Sequence, residues 1–321
     1  MVRSTHDEHE VTVVVTRRTD GADGVTVLDL QATDGSPLPR WEPGAHVDLA
    51  LTPDLVRQYS LCGDPDDSST WRVGVLLEAD GRGGSRFVHD KLHPGTEVLA
   101  RGPRNHFALE PAARYVFVAG GIGITPIVPM IGRAERAGAR WELHYGGRSV
   151  TSMAFRDEVR VLGGDRVTLT PQDTHGLLDL PAILAEPRED TLVYACGPEP
   201  LLDAVTELAA SWPDGALHVE RFTPKTLDLP DPESSFDVEF VQSGITVTVP
   251  PDRSILDVAR EAGVDLPSSC EEGTCGTCET EIVEGVAEHR DSLLTPAEQE
   301  ANETMMVCVS RAACPKLVLD M

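Results

Sequence analysis

The spacing of the cysteines near the C-terminus constrains the fold of this chain more than any other feature of its sequence. Cys270, Cys275 and Cys278 follow the pattern C-x4-C-x2-C, and Cys308 comes after 29 intervening residues. This spacing is typical of plant-type [2Fe–2S] proteins, in which four thiolates converge on two irons. We therefore predict that these four cysteines bind a [2Fe–2S] cluster, with a tight loop supplying three of them and a distant strand the fourth.

Two other interpretations of these cysteines are a zinc site and a set of buried structural residues. Structural zinc sites usually combine two C-x2–4-C or H-x3–5-H pairs, and the three clustered cysteines supply one such pair. The spacing therefore favours iron and sulfur. Gly273 and Gly276 are expected to let the loop fold around the cluster and aim backbone N–H groups at sulfur. Cys314 lies outside the pattern and is predicted to be buried without a ligand role.

The charge balance of the chain narrows the classes of partner. Its 321 residues include 27 Lys and Arg against 53 Asp and Glu, which gives a formal net charge of −26. Phosphate backbones and anionic lipid surfaces repel such a chain, so we expect no nucleic-acid or membrane partner. The first residues are polar and acidic, which is untypical of a signal peptide, so we expect a cytoplasmic protein whose cysteines serve metal or redox chemistry.

Residues 1–109 are predicted to form an antiparallel β-barrel. Five short runs rich in β-branched residues are separated by clusters of Gly, Pro and Asp, a pattern typical of small barrels. The runs are Glu10–Arg17, Val25–Ala32, His46–Leu51, Arg57–Cys62 and Trp71–Leu77.

The rest of the chain is predicted to form two further domains. Residues 110–224 alternate apolar runs with helical stretches, which indicates crossover units around a parallel sheet. Residues 225–235 contain Pro230 and Pro232 and little apolar content, so they are predicted to be a linker. Residues 236–321 combine a hairpin, a helix and the cysteine loop. The fold class is therefore multidomain, with a barrel, an α/β domain and an α+β domain.

Two stretches of the C-terminal domain carry a family resemblance. CEEGTCGTC at 270–278 and MMVCVSR at 305–311 resemble the ferredoxin domain of the phthalate dioxygenase reductase family, which includes vanillate O-demethylase reductases. The order of barrel, nucleotide domain and ferredoxin domain resembles that family over nearly the whole chain. The resemblance implies a β-grasp ferredoxin domain and an oxidoreductase in which electrons pass from NADH through a flavin to [2Fe–2S] and on to a partner.

The barrel contains a motif that resembles the R-x-Y-S signature of the ferredoxin-reductase superfamily. Arg57, Tyr59 and Ser60 are expected to supply a guanidinium for a phosphate, an aromatic ring for the isoalloxazine and a hydroxyl near its reactive edge. Gly83, Gly84 and Ser85 open a predicted helix, whose N-terminus is typical of a phosphate site. The alternative for Tyr59 is a core residue, as is usual for a tyrosine on a strand. The family resemblance favours FMN over FAD, whereas the residues themselves leave that choice open.

A glycine-rich turn is predicted to bind the nicotinamide cofactor. Gly120, Gly121, Gly123, Thr125 and Pro126 lie where a strand leads into a helix, so a pyrophosphate can approach the backbone at the helix N-terminus. Proline stands where the dinucleotide fingerprint has its last glycine. The bare motif is therefore also typical of an ordinary tight turn.

Two further segments resemble elements of these reductases. Cys196, Gly197 and Pro198 resemble the C-G-P element that borders the nicotinamide, although a small buried cysteine is the alternative. The segment 218–222, with sequence HVERF, resembles the one that brings an aromatic residue, here Phe222, next to the flavin. We predict that both segments contact the cofactors.

The choice between NADH and NADPH depends on the strand Trp141–Tyr145. No Asp or Glu ends this strand to hold the ribose hydroxyls, and Arg148 and Ser149 are placed to accept a 2′-phosphate. The family resemblance points instead to NADH. We predict NADH, with NADPH as the alternative.

The resemblance implies a Rieske-type oxygenase as the electron acceptor, with a cytochrome P450 as the alternative. Between Phe236 and Met321, 17 acidic and 5 basic residues give a net charge of −12, which is typical of transient docking to a basic patch. A non-catalytic electron carrier or redox sensor is a further alternative. An electron relay requires no general acid or base, so no catalytic residue is assigned.

Overall fold

The computed structural model describes residues 9–79, 81–225 and 234–321. The chain divides into two compact units, Met1–Glu220 and Arg221–Met321. Most of the predicted linker, residues 226–233, lies outside the described residues. Within the described ranges, no helix is long and apolar enough to cross a membrane.

Six antiparallel strands form the first sheet of the N-terminal unit, in the order β4-β3-β6-β1-β2-β5. They are β1 (Glu10–Ala22), β2 (Val25–Ala32), β3 (His46–Thr52), β4 (Leu55–Ser60), β5 (Trp71–Leu76) and β6 (Glu97–Arg104), with helix α1 (Gly84–Lys91) between the last two. Along β1, Val13 and Val15 are buried and Thr12 and Thr16 are exposed, which is the alternation of a strand with one face in a core.

The two edge strands of this sheet are joined to each other. Leu61, just after β4, forms a bridge with Val73 of β5, and the Cys62 N–H donates to the Arg72 carbonyl at 2.9 Å. The sheet therefore closes around a core that includes the fully buried Trp71. This arrangement confirms the predicted antiparallel barrel.

Five parallel strands form the second sheet of the N-terminal unit, in the order β11-β10-β7-β8-β9. The strands are β7 (Arg114–Gly120), β8 (Arg140–Gly147), β9 (Val167–Pro171), β10 (Thr191–Cys196) and β11 (Leu217–Glu220), and the helices are α2 (Ile124–Arg136), α3 (Arg156–Gly163), α4 (Gln172–His175), α5 (Leu180–Ile183) and α6 (Glu199–Leu208). Apolar clusters cover both faces, which explains the unbroken apolar run in β7. The strand order changes direction between β7 and β10, so the ends of these two strands form the switch point where such sheets bind ligands.

The C-terminal unit contains a mixed five-stranded sheet, in the order β13-β12-β18-β14-β16, and the two-stranded pair β15-β17. Its elements are β12 (Phe236–Phe240), β13 (Ile245–Val249), α7 (Ile255–Glu261), β14 (Glu279–Glu284), β15 (Ala287–Glu288), α8 (Pro296–Ala301), β16 (Thr304–Met306), β17 (Arg311–Ala312) and β18 (Lys316–Leu319). Helix α7 begins with a capping box between Ser254 and Asp257. Its buried Ile255 and Leu256 pack on the sheet, which confirms the predicted α+β class.

Two features of the barrel strands were not predicted from the sequence. Strand β6 pairs with both β1 and β3 and is central to the barrel, although its sequence, EVLARGPR, carries a glycine, a proline and three charges. Strand β1 extends to Ala22, beyond the predicted end at Arg17, and register shifts accommodate the extra length. In each case the strand pairing outweighs weak local propensity.

Candidate functional site

The four predicted cysteine ligands lie together in the C-terminal unit. All four are buried, and their exposed fractions range from 1% for Cys275 to 8% for Cys308. The Cys270 thiol interacts with those of Cys275 and Cys308, and the Cys278 thiol interacts with that of Cys308. The fold therefore brings together residues from two segments that are far apart in sequence.

The loop between Cys270 and Cys278 directs hydrogen-bond donors at sulfur. The backbone N–H groups of Glu272 and Thr274 donate to Cys270 Sγ at 3.3 and 3.4 Å, and the Cys270 N–H donates to Cys275 Sγ at 3.4 Å. Hydrogen bonds from the thiols of Cys275 and Cys308 and from this loop lower the pKa of the Cys270 thiol. Such donors stabilise thiolates and tune a bound cluster, so the residues present fit [2Fe–2S].

The loop needs glycine at Gly273. This residue has φ +70°, and a Cβ there would lie 2.7 Å from Val309 Cγ2. The left-handed backbone and the close approach together exclude a side chain. The prediction that glycine lets this loop fold tightly agrees with both observations.

Two details differ from the expectations for the cysteines. Cys308 lies in a turn directly after β16, not in a strand. Cys314 is partly rather than fully buried, and its sulfur accepts from the Val286 N–H at 3.2 Å. Among the described residues, no group of three or more His, Cys, Asp or Glu side chains could hold a single metal ion. A [2Fe–2S] cluster does not require one, because each iron takes two cysteines.

In the barrel, Arg57 lies across the start of α1. Its guanidinium donates to the Val56 and Arg82 carbonyls at 2.7 and 3.1 Å. A Cβ on Gly84 would lie 2.5 Å from Arg57 Cγ, so the glycine makes room for this side chain. Gly83 has φ +85° with open space around it, and Ser85 Oγ accepts from the Glu78 N–H at 3.0 Å. A guanidinium beside a helix N-terminus fits a phosphate group.

Tyr59 and Ser60 are the last two residues of β4. Tyr59 packs against the barrel core, and burial raises the pKa of its phenol. Ser60 is 6% exposed, and its hydroxyl finds no hydrogen-bond partner within the part of the chain that the structure describes. A buried hydroxyl without a partner is the kind of group that a bound ligand satisfies, so the site fits a flavin.

A buried carboxylate beside this motif escaped the sequence analysis. Asp48 is 1% exposed, accepts from Gln58 Nε2 at 3.0 Å and forms an ion pair with Arg104. It links three strands, β3, β4 and β6, at the R-x-Y-S motif. The sequence does contain a sign of this residue, since Asp48 interrupts the apolar run HVDLAL. A charged residue within a buried strand indicates a charged or hydrogen-bonding partner, because charges are rarely buried without one.

The two nucleotide motifs meet backbone to backbone at the switch point. A Cβ on Gly123 would lie 2.3 Å from the Cys196 carbonyl oxygen, and one on Gly197 would lie 3.0 Å from the Gly120 nitrogen. Gly121 differs, because it has φ +55° and open space around its missing Cβ. The prediction that the glycines make room for a pyrophosphate therefore fits Gly121 best. Gly120 and Gly123 make room for the neighbouring turn.

Thr125 and Pro126 are buried at the start of α2. The Thr125 hydroxyl donates to the Ile122 carbonyl at 2.9 Å, and its methyl group lies against Gly74 of the barrel strand β5. Both side chains therefore pack inside the unit, and the first turn of α2 presents its backbone to the switch point.

Cys196 is fully buried at the end of β10, and its sulfur lies 3.9 Å from Glu220 Oε2. Burial raises the pKa of the Cys196 thiol, and burial also raises the pKa of Glu220 to about 8. Glu220 ends β11 and was not singled out in the sequence, where nothing distinguishes it from the many other acidic residues.

Arg148 is exposed just after β8, and Phe222, in the C-terminal unit, is 41% exposed.

Comparisons with known proteins cover almost the whole chain. Residues 239–313 match the 2Fe-2S iron-sulfur cluster binding domain family, which confirms the predicted cluster type. The phthalate 4,5-dioxygenase oxygenase reductase subunit of Pseudomonas putida is 38% identical over 314 residues, or 96% of this chain and 95% of that protein. The solved structure of phthalate dioxygenase reductase, a modular structure for electron transfer from pyridine nucleotides to [2Fe–2S], is 34% identical. Its TM-score is 0.70 over 97% of this chain and 98% of that chain.

The chain is also similar to part of a larger protein. An intact type IV self-sufficient cytochrome P450 monooxygenase is 46% identical with a TM-score of 0.92, and the similarity covers 97% of this chain and 41% of that one.

Proposed function

Because this chain belongs to the phthalate dioxygenase reductase family, we propose that it passes electrons from NADH through FMN and [2Fe–2S] to a Rieske-type oxygenase. Its relatives are reductase subunits of oxygenase systems, so the chain is an NAD(P)H-dependent flavin and iron–sulfur oxidoreductase that serves a partner oxygenase. The structure of phthalate dioxygenase reductase is described as one for electron transfer from pyridine nucleotides to [2Fe–2S], which supports a nicotinamide nucleotide as the donor and the cluster as the acceptor here. The observation that best supports the proposal is that four buried cysteines from two distant segments come together, as a [2Fe–2S] cluster requires.

The barrel supplies the flavin site in this proposal. Arg57 and the backbone of Gly83, Gly84 and Ser85 hold the phosphate, since a guanidinium and a helix N-terminus both favour an anion. The Ser60 hydroxyl, which is buried without a described partner, bonds the flavin ring. Tyr59 supports the ring from the barrel core. Bound flavin would accept a hydride from the nicotinamide and release its electrons singly to the cluster.

The switch point of the parallel sheet supplies the nucleotide site. The open backbone at Gly121 and the N-terminus of α2 face the pyrophosphate. The C-G-P turn at Cys196 is proposed to border the nicotinamide, and Arg148, which is exposed just after β8, is the residue that would accept the 2′-phosphate of NADPH. The role of Phe222 next to the flavin stays a prediction from the family resemblance. These residues orient the two cofactors and exclude water between them.

The ferredoxin domain is the electron exit. Cys270, Cys275, Cys278 and Cys308 hold the cluster, and the acidic surface of this domain docks transiently to a basic patch on the oxygenase. Glu271, which is exposed next to a proposed ligand, belongs to that surface. We place the protein in the cytoplasm, where NADH is available.

A cytochrome P450 is the second candidate acceptor, because this chain is similar over 97% of its length to part of a self-sufficient P450 monooxygenase. The test supplies the purified chain and NADH to a Rieske oxygenase and, separately, to a P450. Faster NADH-dependent turnover of the Rieske oxygenase, weakened by added salt, supports the proposal. Turnover of the P450 alone contradicts it. Repeating the assay with NADPH tests the nucleotide, and a clear advantage for NADPH would implicate Arg148.

A further inference from the structure

The short segment after the nucleotide domain is tied to the cluster loop. The backbone N–H of Lys225 donates to Ser292 Oγ at 2.8 Å, and the backbone N–H of Ser292 donates to the Gly273 carbonyl at 2.9 Å. Both bonds lie inside the C-terminal unit. Ser292 thus joins the segment that contains Phe222 to the loop that contains three of the proposed cluster ligands.

The turn that carries Ser292 is itself held in place. The buried Asp291 accepts from the backbone N–H groups of Leu293 and Leu294 at 3.0 and 2.7 Å, which fixes the turn around Ser292. Its Cα lies 3.1 Å from where a Cβ on Gly273 would be, so the turn packs directly on the cluster loop. A serine held in this way is a preorganised acceptor, and the bond to Lys225 costs little side-chain entropy.

We propose that Ser292 is a positioning residue that anchors the segment 221–225 to the cluster loop. The anchor matters because of chain length. Five residues, 221–225, separate the end of the N-terminal unit from the anchor, whereas fifteen, 221–235, separate it from the first strand of the ferredoxin sheet. The effective concentration of one linked domain around the other falls as roughly the −3/2 power of the linker length. A threefold shorter connection therefore raises that concentration about fivefold.

This inference rests on the proposed electron relay, because the anchor has a functional effect if electrons pass from the flavin to the cluster. Its structural half can be tested without any cofactor turnover. The variant Ser292→Ala removes the acceptor, and Ser243→Ala is the matched control, since that serine lies in the β12–β13 turn of the same unit. Ser292→Thr retains the hydroxyl and is expected to restore the wild-type behaviour.

The first measurement is hydrogen exchange at the Lys225 amide in the full holoprotein. Loss of one hydrogen bond is expected to speed exchange about fivefold in Ser292→Ala and to leave it unchanged in Ser243→Ala. The visible spectrum of the cluster checks that the loop is intact. An unchanged Lys225 exchange rate in Ser292→Ala overturns the anchor.

The second measurement is anaerobic stopped-flow mixing with NADH, which follows flavin reduction and cluster bleaching separately. We expect Ser292→Ala to reduce its flavin at the wild-type rate and to bleach its cluster up to about fivefold more slowly. Equal bleaching rates in wild type and variant overturn the inference. Absence of any bleaching in the wild type would contradict the proposed relay itself, and the exchange measurement would still decide the anchor.

Discussion

Gly123 and Cys196 meet so closely that a single added Cβ on Gly123 would lie 2.3 Å from the Cys196 carbonyl oxygen. These residues belong to the two motifs proposed to hold the nicotinamide nucleotide, and they end up together because β7 and β10 are neighbours at the switch point of the sheet. The proposed nucleotide site therefore depends on a backbone contact between two turns as much as on the side chains around it.

The first prediction concerns that contact. Gly123→Ala must push the two turns apart, and overpacking of this kind costs about 1–3 kcal/mol of unfolding free energy. We expect a higher KM for NADH and a lower melting temperature of the N-terminal unit. Gly132→Ala, within the helix α2 that follows Gly123, is the matched control, since a Cβ there meets nothing closer than 3.9 Å. An unchanged KM in Gly123→Ala would argue against the proposed nucleotide site.

The second prediction concerns the flavin phosphate. Arg57→Ala removes a charge-assisted contact worth about 1.5–3 kcal/mol, so flavin affinity should fall roughly ten- to hundredfold. Fluorescence titration of the flavin-free protein with FMN measures this, and the cluster spectrum should not change. Arg101→Ala is the control, because that arginine pairs with Glu10 on the barrel surface. Full flavin affinity in Arg57→Ala would remove Arg57 from the site.

The third prediction concerns the electron exit. Cys275→Ser replaces a proposed cluster ligand, so cytochrome c reduction should be abolished while NADH still reduces the flavin. Cys314→Ser is the control in the same domain, and both its cluster spectrum and its activity should remain. If Cys275→Ser still reduced cytochrome c at the wild-type rate, the cluster would not be the exit.

The fourth prediction concerns Glu220, whose pKa is raised from its usual 4.5 to about 8 by burial. Between these two values the folded protein holds a proton that the unfolded chain releases. The free energy of unfolding should therefore fall as the pH rises from 4.5 to 8, by at most about 1.4 kcal/mol per pH unit, and level off above pH 8.

Urea unfolding of wild type and Glu220→Gln, followed from pH 5 to pH 9 on the N-terminal unit, measures this contribution as the difference between the two proteins. The difference should grow in favour of Glu220→Gln up to about pH 8 and then stay constant. A difference that does not change with pH would mean that the carboxyl titrates normally.

The sequence was sufficient where the chemistry fixes the spacing of residues. Four thiolates on two irons impose a pattern that is visible in the cysteines alone, and runs rich in β-branched residues mark the first two barrel strands. The sequence was insufficient for strand β6, because its glycine, proline and charges hide a strand that is held by pairing with two neighbours.

The candidate sites show the same division. Arg57 lies on β4 and Gly84 begins α1, so they belong to separate motifs in the sequence, and their close contact appears only in the structure. Asp48 became noticeable through its burial, and Glu220 through the raised pKa of its carboxyl beside Cys196, and both depend on the packing of distant elements. The sequence analysis predicted that Gly120 and Gly123 make room for the nucleotide. In the structure their close contacts are with the neighbouring turn.

The measurement that tests the central claim most directly is an anaerobic visible titration of the purified protein with NADH. We predict that flavin and [2Fe–2S] bands are both present and that both bleach as NADH is added, with the cluster drawing its electrons through the flavin. Cluster bands without flavin, or an intact sample that NADH leaves unchanged, would contradict the account and favour a carrier or sensor.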